Sequence, residues 1–208
     1  MRYHRSLISQ PPKGLVSHWR FDGNVLDSVG NNDGTINGDP QFVQGVSGQA
    51  LSFDGVDDYV GVSDSNNLDA GTGGLTVACW FKVDLNASES YPRIMTKAPG
   101  GRYGDTKGYQ LALVNDYLIP EIGDGTANEA SRPAQPAINS NQWYHLAMTW
   151  DGQAHVVYLD GTNIGQGAFT GDISNNTTLR FGVSGYAGLI DEARIYNRAL
   201  SEQEIQNL

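Results

Sequence analysis

Short apolar runs bounded by Gly, Asn, Asp or Pro recur along the whole chain. They cover residues 15–21, 50–53, 59–62, 75–83, 93–96, 109–114, 117–122, 143–150, 154–159, 179–183 and 188–196. Each is rich in β-branched or aromatic residues, which suit a half-buried pleated surface. In 15–21 the period of two puts Leu15, Ser17, Trp19 and Phe21 on one face and Val16, His18 and Arg20 on the other. Trp19 and Phe21 should therefore face a core. Asp151-Gly152 and Asp160-Gly161 each separate two such runs, and Asp-Gly tolerates the positive φ angles of a type I′ hairpin. A meander over 143–150, 154–159 and the segment after it follows. No helical pattern of 10–15 residues alternates with the runs, which argues against a parallel α/β sheet. The one helix signal is at the end, where Ser201 and Glu204 have capping-box spacing. Two polar stretches, 97–108 and 123–141, read as long loops, the usual carriers of ligand contacts. The pattern predicts an all-β, antiparallel two-sheet β-sandwich with a short C-terminal helical turn.

Composition narrows this. At 208 residues the chain fits one sandwich domain, and 26 glycines with only 17% charged residues fit many short strands and tight turns. Residues 1–14 are read as a linker and 15–208 as the domain. The first ten residues are polar and basic and lack an apolar signal core, and Pro11-Pro12 follows them. A net charge of −10 opposes phosphate backbones and anionic lipid, so neither nucleic acid nor a membrane is an expected partner. It also means many carboxylates, hence possible hard-cation sites. The single cysteine, Cys79, lies in an apolar run and reads as a buried inert thiol.

Catalytic motifs are absent: no Gly-x-Ser-x-Gly elbow, phosphate loop, His-Glu-x-x-His or Gly-x-Gly-x-x-Gly occurs. His145 and His155 fall in adjacent predicted strands, but nothing near them supplies a nucleophile. A retaining glycosidase needs two carboxyl groups about 5–5.5 Å apart. The adjacent pairs Asp57-Asp58 and Asp191-Glu192 should point to opposite faces of their strands, so neither makes a couple. Acids do recur beside Gly and Asn at turns: Asp22, Asp54, Asp57 and Asp191. Two readings stay open for them. They cap turn amides, or with backbone carbonyls they hold calcium, which takes six to eight oxygens.

Four segments, in this order, carry a resemblance. They are Trp19-Arg20-Phe21-Asp22-Gly23-Asn24 with Asp27; Ala50-Leu51-Ser52-Phe53-Asp54-Gly55 running to Asp58-Tyr59-Val60; Trp143-Tyr144-His145-Leu146-Ala147 with Asp151-Gly152 and Tyr158-Leu159-Asp160-Gly161; and the run from Gly188 through Asp191-Glu192-Ala193-Arg194-Ile195-Tyr196 to Ser201, with Glu204-Ile205. From about residue 15 to 208 the chain resembles the laminin-G-like, concanavalin A-like jelly-roll family of bacterial extracellular proteins. The resemblance implies a non-catalytic carbohydrate-binding module at the cell surface or outside the cell, joined to neighbouring domains of a larger protein. It implies one structural Ca2+ near the chain ends, held by Asp22, Asn24 and Asp191, with a backbone carbonyl from residues 44–48 completing the shell. It assigns Trp19, Trp143 and Trp80 to the core. A poly- or oligosaccharide would then meet the variable loops, where Tyr91, Arg93, Tyr103, Asp105, Tyr117, Arg132 and Tyr186 offer stacking rings and hydrogen-bonding groups. The alternatives are a polysaccharide-cleaving enzyme of the same fold, glycoside hydrolase or lyase, and a protein–protein adhesion module.

Overall fold

Trp19 and Phe21 do face a core: both are buried, and each meets Phe181 edge-on, with ring centroids 5.1 and 5.6 Å away. The structure, a computed structural model, describes residues 12–99, 107–126, 128–130 and 137–208. In chain order the strands are β1 (Leu15–Trp19), β2 (Gly34–Asn37), β3 (Gln41–Gln44), β4 (Gln49–Asp54), β5 (Tyr59–Val62), β6 (Leu75–Val83), β7 (Arg93–Lys97) and β8 (Lys107–Val114). They continue as β9 (Tyr117–Leu118), β10 (Glu121–Asp124), β11 (Asn128–Ala130), β12 (Tyr144–Trp150), β13 (Ala154–Leu159), β14 (Thr162–Ala168), β15 (Leu179–Val183) and β16 (Ala187–Tyr196). One short helix, α1 (Glu202–Ile205), ends the chain, and the Ser201–Glu204 capping box forms.

Two antiparallel sheets account for these strands. The first runs β14-β13-β12-β6-β16-β4-β3, with β1 also on β16; the second runs β11-β10-β8-β7-β15-β5-β2, with β9 on β8. The β12–β13–β14 meander is as the turns predict, but its two hairpins differ. Asp160 and Gly161 both have positive φ, and Leu159 pairs directly with Thr162, so that turn has two residues. At the other, only Gly152 has positive φ; Trp150 pairs with His155 across four residues, and Asp151 accepts from the amides of Gln153 and Ala154.

Several boundaries move for local reasons. Phe21 has φ 56°, so β1 stops at Trp19. Residues 117–122, expected as one strand, break at Ile119-Pro120 into β9 and β10. Strands β2 and β3 carry no strong apolar run and were not expected; β8, β10 and β11 extend into the two stretches read as loops.

The core lies between the sheets. Trp19 and Trp150 are fully buried, and their indole N–H groups donate to the carbonyls of Asn32 and Phe169. Each such side chain removes enough apolar surface from water to contribute roughly 1.5–3 kcal/mol or more. Cys79 is buried in the same core. A smaller cluster lies on the outer face of the first sheet, where Leu200 and Ile205 cover Ala78, Ala147, Tyr158 and Tyr196.

Two of the tryptophans expected in the core are elsewhere. Trp80 alternates with the buried Cys79 and Phe81 and so projects from the outer face of the first sheet, and Trp143 precedes β12 beside it. Both are half-buried. His145 shares that face, opposite Trp80 in the ladder, whereas His155 pairs with Trp150 on the core side. The two histidines therefore do not approach each other.

Candidate functional site

The chain ends meet at β16. Its first half pairs with β4 through Ile190, and its second half pairs with β1 from Ala193 onward. The switch falls at a register shift between Asp191 and Arg194, where Glu192 takes φ 51°. Asp191 sits at this junction and is fully buried. Its Oδ2 accepts from the amides of Val46 at 2.8 Å and Ser47 at 3.1 Å, in the turn between β3 and β4. Its Oδ1 is buried and has no hydrogen-bond partner. Burial raises the Asp191 pKa, and the Ser47 and Val46 amides only partly offset that. The carboxylate of Asp22, just after β1, accepts from the amide of Gln49 at the other end of the same turn. Gly48 there has φ +64°, and a Cβ at that position would collide with the Asp22 carboxylate.

So two acids far apart in sequence close on one turn that joins the first strand to the last. An anionic oxygen buried without a donor is unfavourable, and a hard cation with oxygen preference relieves it. Asp191 and Asp22 fit such an ion. The Asn24 side chain is engaged in its own turn, where Oδ1 accepts from Leu26 and Nδ2 donates to the carbonyl of Asp22, so a backbone oxygen is what Asn24 would have left to offer. Nearby, Glu192 accepts from His18 and Arg194. Burial raises its pKa but these partners win, holding the carboxylate below its usual range.

A second acid group behaves differently from expectation. Asp57 and Asp58 lie in the turn between β4 and β5, not in a strand, and their carboxylates converge with that of Asp54 within 4.8 Å. Asp58 is taken up by the amides of Asp39 and Asp54, and Asp54 by Val56, so these acids cap turns.

The second sheet carries a polar row across its outer face. Its register aligns Thr35, Gly61, Arg180, Thr96, Gln110, Glu121 and Ala130 across seven strands, alternating with core residues such as Val60, Phe181, Met95 and Leu111. At one end the row is sealed. Glu121 accepts from the Tyr91 hydroxyl and from Gln110, and Gln110 donates to Tyr91 at 3.0 Å. Toward the other end it opens into a hollow of about 510 Å3 lined by Arg93, Thr96, Thr177, Thr178, Arg180 and Ser184, among others. Arg93 donates to Ser184 and lies over the Tyr91 ring, while Arg180, exposed, lies over the Tyr59 ring. The loop carrying Thr177 is fastened from below by Asn175, whose Nδ2 donates to the carbonyls of Lys97 and Lys107.

Of the residues read from sequence as sugar contacts, Arg93 is in this hollow. Tyr91 is buried beneath it and offers no free ring face, and Tyr186 is wholly in the core. Tyr117 is exposed but stands on the β8–β9 hairpin. Tyr103, Asp105 and Arg132 lie outside the described residues. Sequence reading missed Arg180, Thr177, Thr178 and Ser184. The signal for Arg180 was available: it is the one charged residue in an alternating Leu-Arg-Phe-Gly-Val strand. The first sheet has its own hollow, of about 370 Å3, beside Trp80, Trp143, His145 and Asp160. Each indole there already makes one contact, Trp80 with the His145 ring at 5.2 Å and Trp143 with the Lys82 ammonium at 5.7 Å, and both remain half-buried.

Residues 54–206 match the family model described as the concanavalin A-like lectin/glucanases superfamily, in its laminin-G type. The chain belongs to this superfamily. Solved structures agree on the fold. The binding domain of Paraclostridial Mosquitocidal Protein 1 superposes with a TM-score of 0.78 at 18% identity, over 93% of this chain and 51% of that one. The receptor-binding domain of botulinum neurotoxin C/D mosaic serotype gives 0.76 at 16% identity, over 93% and 50%. Domain 4 of AbnA, a GH43 extracellular arabinanase from Geobacillus stearothermophilus solved with arabinotriose, gives 0.70 at 23% identity, over 93% and 97%. The chain thus spans about half of the toxin domains and nearly all of the arabinanase domain. No curated protein sequence is a significant match. Superfamily membership fixes the sandwich; what this chain does rests on its own faces.

Proposed function

We propose that the chain is a non-catalytic carbohydrate-binding module of an extracellular or surface protein, with its glycan site on the outer face of the second sheet. The observation that carries this is the hollow over the β15–β7–β8 row. It sets two guanidinium groups and four side-chain hydroxyls around one concavity. Such a lining matches the donors and acceptors of sugar hydroxyls, and a rigid sheet holds it in place. The arabinanase domain with its bound arabinotriose supports the same reading by analogy of fold. Glu121 is the one acid that the register places on this polar row among the described residues. It is already bound by Tyr91 and Gln110, which leaves no carboxylate couple there for hydrolysis. A single Ca2+ held by Asp22, Asn24 and Asp191 completes the reading as a structural ion, supported by the partnerless Asp191 Oδ1.

The test is a glycan array on the purified chain, followed by NMR titration with the best oligosaccharide. Shift changes at Arg93, Thr178 and Arg180 are expected, with no release of product. Changes confined to the indole signals of Trp80 and Trp143 would move the site to the first sheet. Reducing-end or unsaturated product lost on substituting one acid would replace the module reading with an enzyme.

A further inference from the structure

We infer that the glycan recognised by the second-sheet hollow is anionic, carrying a uronate carboxylate or a sulfate ester. This rests on the reading of that face as a glycan site and goes one step beyond it, to the substrate class. The chain as a whole has a net charge of −10, with 23 acidic residues against 13 Lys and Arg. Against that background the hollow is an exception. Its described lining contains Arg93 and Arg180 and no carboxylate.

The two arginines differ in role. Arg93 is half-buried and fixed, donating to Ser184 at 3.0 Å and stacked on Tyr91. Arg180 is exposed and makes no ion pair among the described residues; its guanidinium lies over the Tyr59 ring, 5.6 Å from the centroid. A ring face orients a guanidinium while leaving its N–H edge free, and that edge matches a carboxylate or sulfate in bidentate fashion. Thr177 and Thr178 stand beside it for the sugar hydroxyls. A neutral sugar needs no such charge. In an acidic protein, a concavity whose described lining holds two guanidiniums and no carboxylate selects an anion, because each acid elsewhere repels it and only a local match offsets that.

The probes are short, so that the net charge of the chain does not dominate. Isothermal titration with tri-galacturonate is compared with its carboxyl-reduced, neutral counterpart, and a sulfated trisaccharide forms a parallel arm that separates the two anion sources. At least tenfold tighter binding of one acidic trimer than of the neutral one is expected. Arg180→Gln should erase that difference while leaving the melting temperature unchanged, because the side chain is exposed; Arg180→Lys should restore part of it. If the neutral trimer binds as well as both acidic ones, or if Arg180→Gln weakens all of them equally, the anionic assignment is overturned and the glycan face stands. If no oligosaccharide of either class binds this face at millimolar concentration, the face itself is wrong and the inference goes with it. Equal binding of tetra-glutamate would show that charge alone is being read, and would overturn it too.

Discussion

His145 shows how the face a strand residue is given sets its chemistry. Opposite Trp80 on the first sheet, it is nearly fully buried, and its Nε2 has no partner. Burial, helped by the nearby Arg194 charge, pushes its pKa from 6.5 down to about 4. The unfolded chain therefore binds a proton between pH 6.5 and 4 that the folded chain refuses, so stability rises with pH across that window. It is fully present above 6.5 and falls as pH drops toward 4, by roughly 3 kcal/mol at the lower end. Carboxylates titrate in the same range, so the useful quantity is a difference. His145→Phe should flatten the stability–pH curve relative to wild type between pH 6.5 and 4, measured by urea unfolding at each pH. Parallel curves would mean that the imidazole is solvated. From sequence, His145 reads as a partly buried strand histidine. Its burial is legible, but the loss of its partner is not, because that depends on which neighbours a register brings across.

At the scale of elements, the loop entering β15 is held by a buried cation. Lys97 ends β7 fully buried, and its ammonium donates to Asp64 at 2.8 Å, Asp69 at 2.9 Å and the carbonyl of Asn175 at 2.8 Å. Asn175 returns a hydrogen bond to the Lys97 carbonyl. Two separate connections, β5–β6 through Asp64 and Asp69 and β14–β15 through Asn175, are thus tied to one side chain. Removing one partner of a buried ion pair typically costs about 3–5 kcal/mol. Here the two carboxylates are 32% and 16% exposed and can be rehydrated in part, so Lys97→Met should cost about 3 kcal/mol, near the lower end. The urea midpoint should fall with the slope unchanged, and Thr177 and Thr178 should become less protected from amide hydrogen exchange and more mobile by NMR relaxation. A midpoint shift equivalent to under about 1 kcal/mol would place Lys97 among surface-type pairs. In sequence, Lys97 stood at the edge of a polar stretch read as a loop. Strand identity was legible wherever apolar residues alternated, as in β5, β6, β13 and β15, whose bounds match the runs residue for residue. It was not legible in β2 and β3, where pairing with β5 and β4 supplies what local pattern does not.

For the whole molecule, the two-layer architecture was legible because eleven short apolar runs are bounded by turn residues with no helical pattern between them, and the superfamily match agrees with it. Which tryptophans fill the core was legible only in part: Trp19 and Trp150 do, whereas Trp80 and Trp143 lie outside because the β6 register puts Cys79 and Phe81 inward. The largest-scale consequence concerns the junction where β16 changes partner. Terminal strands fray first unless they are tied down, and here the first strand lies against the last, with the β3–β4 turn bridging Asp22 and Asp191. A Ca2+ bound only by the folded state stabilises it by about 2.7 kcal/mol when free calcium is a hundredfold above the dissociation constant. For a chain of this length that corresponds to roughly 5–10 °C in melting temperature. Chelation should lower the melting temperature by that amount, and millimolar calcium should restore it. Asp191→Asn keeps the hydrogen bonds from Val46 and Ser47 available to a carbonyl oxygen but removes the charge, so it should fold yet lose most of the calcium response; Asp22→Ala should weaken it. Magnesium, which demands smaller and more regular coordination, should substitute poorly. Superimposable wild-type melting curves in chelator and in millimolar calcium would leave Asp22 and Asp191 as turn caps alone, and the junction would then depend on the hydrogen bonds of β1, β4 and β16.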